Sequence, residues 1–137
     1  MRALLCRSLG SIDNLEVGEL PSPDLSAGHV RIAVKASGIN FPDILMAEGK
    51  YQVKPDLPFV PGLELAGEVL EAAPDVDRFG PGDRVMGFAR FGGAHAEEAV
   101  LPVTPNVGSM RTSALRRPWR LRLAGFRSRL ISRFTVS

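Results

Sequence analysis

The stretch "HVRIAVKASGINFPDILMAEGKY", residues 29–51, joins two kinds of local order. It opens with alternation: Val30, Ile32, Val34 and Ala36 fall on one face, Arg31 and Lys35 on the other. A period of two is the mark of a half-buried strand. The chain then turns at Asn40. Pro42 stands where the first turn of a helix tolerates it, and Gly49 stands where a helix ends. A strand, a turn and one short helix over "FPDILMAEG" are therefore expected, closed just before Tyr51. Asp43 falls in the first helical turn, where a carboxylate complements the unpaired N–H groups. It reads as a helix-terminus acid worth on the order of 1 kcal/mol, or as a group that holds Asn40 in place.

Further strands flank this unit. "GLELAGEVLEAA" is a strand candidate whose glycines mark close backbone approach or a bulge. "RFGPGDRVMGFARF" supplies a Gly-Pro-Gly-Asp turn followed by a strand, and "AHAEEAVLPV" a strand ended by Pro102. The opening "MRALLCR" and "LEVGEL" suit a hairpin. Many short strands separated by Gly/Pro turns argue for a mainly β fold, a closed or partly open barrel.

Charge divides the chain in two. All 15 acids lie at or before Glu98. Before Val107 they face nine basic residues, a net of −6; from Val107 onward there are eight arginines and no acid. The overall +2 therefore describes neither part, and the basic balance implies no anionic partner for the main domain. No apolar run approaches the ~18 residues of a membrane span, and the apolar core of the amino terminus is too short for a signal peptide, so a cytoplasmic address is the default. The single cysteine, Cys6, excludes an internal disulfide and reads as a small core hydrophobe.

Between Val30 and Val100, "GINFPDILMAEGKYQVKPDLPFVPGLELAGEV", "FGPGDRVMG" and "FGGAHAEEAV" occur in one order that resembles the zinc-independent quinone oxidoreductases (zeta-crystallin-like) of the medium-chain dehydrogenase/reductase superfamily. The resemblance covers about the first hundred residues. It implies a GroES-like barrel, partly open, with short helices, forming one wall of a cleft whose other wall is a Rossmann domain. It divides the chain into a domain over residues 1–103 and an Arg-rich aberrant or disordered tail over 104–137.

The resemblance also bears on metal. Catalytic zinc needs three protein ligands and one open position. Where zinc-dependent relatives carry Cys and Gly-His-Glu, this chain has Asn40 and Gly62-Leu63-Glu64. His29 and His95 have no ligand spacing around them, and no metal is expected. A quinone or enone carbonyl must then be polarised by hydrogen bonds as hydride arrives from NADPH. The resemblance implies that Asn40 and Tyr51 approach the nicotinamide and the substrate, as both catalytic and cofactor-binding residues. Read from the residues alone, Asn40 could equally be a turn residue with an unusual backbone angle, and Tyr51 a boundary aromatic. Glu64 is expected to be a buried structural acid paired with a cation, with a proton donor as the alternative. Gly38, Gly62 and Gly67 are expected to meet backbone constraints, and Phe41 and Phe91 to line the cleft or the core.

No G-x-G-x-x-G cluster follows a strand anywhere in the 137 residues. The family pattern stops after "AEEAVLPV", and the tail has the composition of a GC-rich gene read in another frame. Hence an amino-terminal catalytic-domain fragment, inactive alone, is expected. No nucleic-acid or membrane partner is expected, and the family's homodimer contacts should be missing. The alternative is a non-catalytic barrel whose tail binds a membrane, nucleic acid or partner. Leu115, Trp119, Leu123, Phe126, Leu130 and Phe134 would form one helical face, although Pro118 and Gly125 interrupt it.

Overall fold

The computed structural model describes residues 1–104 and 106–109. The stripe from Leu115 to Phe134, and nearly all of the Arg-rich tail, lie outside them. The opening hairpin forms as expected. β1 (Arg2–Cys6) and β2 (Leu15–Glu19) pair antiparallel, with Arg2 opposite Glu19 and Cys6 opposite Leu15. Between them a 3₁₀ turn (Ile12–Asn14) is capped by Ser11, whose Oγ accepts the Asp13 N–H at 3.1 Å.

β3 (His29–Gly38) is followed by the helix α1 (Phe41–Ala47), and then by β4 (Glu64–Ala72), β5 (Arg84–Phe88), β6 (Glu98–Pro102) and β7 (Val107–Ser109). The last five strands to be named, β3 to β7, form one antiparallel sheet in the order β6-β3-β4-β5-β7. This is half a barrel, open between β6 and β7, and agrees with the mainly β expectation. β7 lies beyond residue 103, where no element was expected; only three residues long, it carries too short a pattern to read. The Gly80–Asp83 turn closes β4 onto β5: Asp83 N–H donates to the Gly80 carbonyl at 3.1 Å and Gly80 N–H to Asp83 Oδ2 at 2.9 Å.

Val30 and Ile32 of β3 are buried, along with Leu65, Val69, Val85, Leu101 and Val107 from the other strands. Fully burying a side chain such as Ile32 stabilises the fold by about 2 kcal/mol. On the polar face Arg31 reaches Glu71 of β4 and Glu98 of β6, each at 3.4 Å, tying three strands together. A second, smaller core gathers Cys6, Met46, Ala47, Phe59 and Leu63 between the hairpin and α1. Cys6 is fully buried there, and its backbone exchanges hydrogen bonds of 2.8 and 3.1 Å with Phe59.

One strand expectation fails. Ala36 is exposed rather than buried with Val30 and Ile32. Val34 pairs with Gly67 and Ala36 with Ala66, so Lys35 is an extra residue in β3. Such a bulge shifts the alternation by one residue. It turns Ser37, not Ala36, toward the interior. Among the described residues, no helix is long and apolar enough to cross a membrane.

Candidate functional site

The bulged end of β3, the start of α1, the chain entering β4 and the segment before β6 converge around one buried carboxylate. Asp43 is 5% exposed, the charged residue buried among the described residues. Its position in the first turn of α1 follows from Pro42, which needs no N–H partner there. Oδ2 accepts the Asn40 N–H at 2.8 Å, and Oδ1 accepts the Gly62 N–H at 2.9 Å. The acid therefore does both things open in the sequence, capping the helix and holding Asn40, and it fastens the approach to β4 as well. Asn40 is half-buried with φ −120°, ordinary extended backbone, so no unusual angle explains its presence.

His95 was given no role from the sequence. Its side chain is 10% exposed, Nε2 lies 3.8 Å from Asp43 Oδ2, and Nδ1 lies 2.9 Å from Ser37 Oγ. Its main chain is pinned on both sides: His95 N–H donates to the Pro61 carbonyl at 3.0 Å, and the Leu4 N–H donates to its carbonyl at 2.8 Å. Desolvation pushes the His95 pKa below its ordinary 6.5, and the facing Asp43 charge only partly opposes this. The ring is thus neutral at pH 7. A carboxylate beside Nε2 favours the proton there, leaving Nδ1 to accept from the Ser37 hydroxyl. The signal that could have found His95 is faint: a lone histidine just after the Gly92-Gly93 pair.

Gly62 makes this approach possible. It has φ +101°, and a Cβ there would stand 2.7 Å from the His95 backbone nitrogen. Gly38 leaves room for the Glu64 side chain, which lies across it, and a Cβ at Gly67 would meet Ile32 Cγ2 at 2.7 Å. Gly62 and Gly67 meet backbone atoms, as expected, whereas Gly38 meets only the Glu64 side chain. Glu64 itself differs from expectation: it is half-buried, and no ion pair reaches it among the described residues. The space over Gly38 lets the carboxylate stay part-solvated, which removes the need for a buried cation.

Tyr51 follows α1 closely. Its N–H donates to the Leu45 carbonyl at 3.1 Å, and its ring packs against the Cys6–Met46–Phe59 core. Its hydroxyl has no hydrogen-bond partner among the described residues. Asn40 and Tyr51 bracket α1, separated by a helix ~10 Å long. Phe41 and Phe91 are not core residues, being 69% and 64% exposed. Phe88, also exposed, stands opposite Glu64 in the sheet, which in turn faces Gly38, so Phe88 and Phe41 share the Asn40 end of the sheet. A surface cavity of about 500 Å³ lies at the other end, between Gly28, Asp75 and Val103, and holds none of the candidate residues.

Residues 26–112 match the alcohol dehydrogenase GroES-like domain, well over half of the chain. The chain belongs to that family. This GroES-like domain is 48% identical over 103 residues to a quinone oxidoreductase-like protein 2 homolog of Nematostella vectensis, covering 75% of the chain and 28% of the relative. It matches the quinone oxidoreductase of Pseudomonas syringae pv. Tomato DC3000 with a TM-score of 0.77 at 31% identity, over 83% of this chain and 34% of that one. Escherichia coli quinone oxidoreductase, solved in complex with NADPH, matches with a TM-score of 0.75 at 25% identity, over 81% of this chain and 33% of that one. The chain thus spans about a quarter to a third of the length of these relatives, at their amino-terminal part. Its relatives are quinone oxidoreductase-like proteins, and its structural neighbours are members of the medium-chain dehydrogenase/reductase superfamily.

Proposed function

We propose that this domain forms one wall of a cleft in which a small quinone or enone is reduced with NADPH and without a metal. The observation that carries the reading is the anchoring of Asn40 through Asp43 to Gly62, at the end of the sheet that carries exposed Phe41 and Phe88. A planar apolar substrate suits such a rim, and an amide held at a helix start can hydrogen-bond a carbonyl oxygen as negative charge grows on it.

NADPH supplies the hydride when bound. The residues present fit its nicotinamide end only: Asn40 offers amide donors and an acceptor, and Tyr51 offers an unpartnered hydroxyl. The phosphates call for backbone N–H groups behind a Gly-rich turn, which the sequence lacks. The 137-residue chain is therefore inactive alone and binds NADPH weakly. The division into a domain over 1–103 and a tail over 104–137 belongs to the same reading, with β7 then the part of the tail that joins the sheet.

A chimera tests this. Residues 1–103 replace the matching segment of E. coli quinone oxidoreductase, whose own remaining chain supplies the rest of the protein. The chimera should oxidise NADPH in the presence of a benzoquinone. A chimera that folds and binds NADPH but reduces no quinone or enone would overturn the proposal.

A further inference from the structure

We propose that His95 is a positioning residue for Asn40, and that it couples the place of that residue to protonation of a buried imidazole through the carboxylate of Asp43. The inference builds on the proposed role of Asn40 only for its consequence; the coupling itself stands on geometry. Asp43 Oδ2 holds the Asn40 N–H at 2.8 Å while lying 3.8 Å from His95 Nε2. A charge-assisted N–H···O bond is about 2.8 Å long, so the carboxylate stands about 1 Å short of a second partner.

When the ring gains a proton, both its nitrogens donate. Ser37 Oγ, 2.9 Å from Nδ1, then turns its hydroxyl and accepts. The imidazolium draws Asp43 toward Nε2. The ring cannot move far to meet it, because the His95 main chain is fixed by Pro61 and Leu4 and the Gly62 backbone lies directly against it. The carboxylate is the part that gives. Since its two oxygens also hold the N–H groups of Asn40 and Gly62, its shift lengthens the Asn40 bond and moves the start of α1.

The groups facing the ring are few. α1 contributes Asp43, β3 the neutral Ser37, and β1 and the chain before β4 contribute backbone. Asp43 is the charge that acts on His95. The Glu64 carboxylate of β4 lies over Gly38, next to Ser37, and the exposed Arg2–Glu97 pair flanks the segment from outside. At neutral pH the imidazole is uncharged and the cap on Asn40 is closed; acid opens it.

The test is an NMR titration of the 137-residue chain, following the His95 ring nitrogens and the amide groups of Asn40 and Gly62. The Asn40 and Gly62 amides should shift with the midpoint of the His95 ring, and Nε2 should be the protonated nitrogen of the neutral form. Asp43→Asn should lower that midpoint, and His95→Gln should abolish the shared transition. Asn40 amide shifts that stay flat through the His95 titration would overturn the proposal. So would a transition that survives His95→Gln, or a ring that stays neutral until the fold is lost. The wild-type titration alone decides the coupling if a variant fails to fold. None of these readouts uses turnover, so a chimera without quinone reduction would sink the functional reading and leave the coupling intact.

Discussion

Gly62 and Asp43 are nineteen residues apart, yet the Gly62 N–H donates to Asp43 Oδ1 at 2.9 Å in the buried interior. With the part-buried Asn40 bond, the carboxylate serves two backbone donors, and the Gly62 N–H has no water to turn to. A hydrogen bond to a charged group contributes about 1.5–3 kcal/mol. Asp43→Ala should thus cost about 3 kcal/mol, more than the ~1 kcal/mol of an exposed helix-terminus acid. Urea denaturation of the two proteins measures the difference, and a loss under about 1 kcal/mol would contradict the buried role.

Gly62→Ala should be comparably severe. A left-handed backbone costs a non-glycine residue about 1–3 kcal/mol, and here the new Cβ also strikes the His95 backbone and ring at 2.7 and 2.8 Å. Gly80 is the control, since nothing lies within 4 Å of a Cβ added there. Gly80→Ala should change stability by less than about 0.5 kcal/mol. Thermal melts of both variants check the contrast.

Stability should fall in mild acid because of His95. Its pKa is lower folded than the ordinary 6.5, by desolvation first, with Asp43 opposing. The unfolded chain therefore binds the proton more readily, and below pH 6.5 protonation favours unfolding. The loss should begin as pH falls through 6.5 and continue until the folded imidazole itself titrates. His95→Gln should flatten that window, as read from urea midpoints across the pH range.

Cys6 should be unreactive in the native protein. Burial pushes its thiol pKa up, a backbone hydrogen bond from Ser8 opposing it, and the side chain is wholly enclosed. A thiol reagent at pH 8 should modify it only at the rate of unfolding, and rapidly in urea. Fast modification without denaturant would contradict the packing around Phe59.

In the chimera, Asn40→Ala and Tyr51→Phe should each lower turnover or NADPH affinity by up to about a hundredfold, the equivalent of one lost hydrogen bond of ~1–3 kcal/mol. Steady-state kinetics with both substrates varied separates the two effects. Full activity of the double variant would assign the site to other residues.

The sequence by itself determined what is local. The alternation of β3 as far as Val34, the Pro42–Gly49 limits of α1, the Gly80–Asp83 turn and the burial of Cys6 each depend on neighbours a few residues away. The motif order between Val30 and Val100 carried the family with them. Only the tertiary structure decided the rest. The bulge at Lys35 arises from how β3 pairs with β4, and a pattern read along one strand cannot register an extra residue that the other strand leaves unpaired. Ser37 turns inward for that reason, and so meets a histidine 58 residues away. Asp43, Gly62 and His95 likewise acquire their roles from one another, because a buried charge is defined by which donors the fold brings to it.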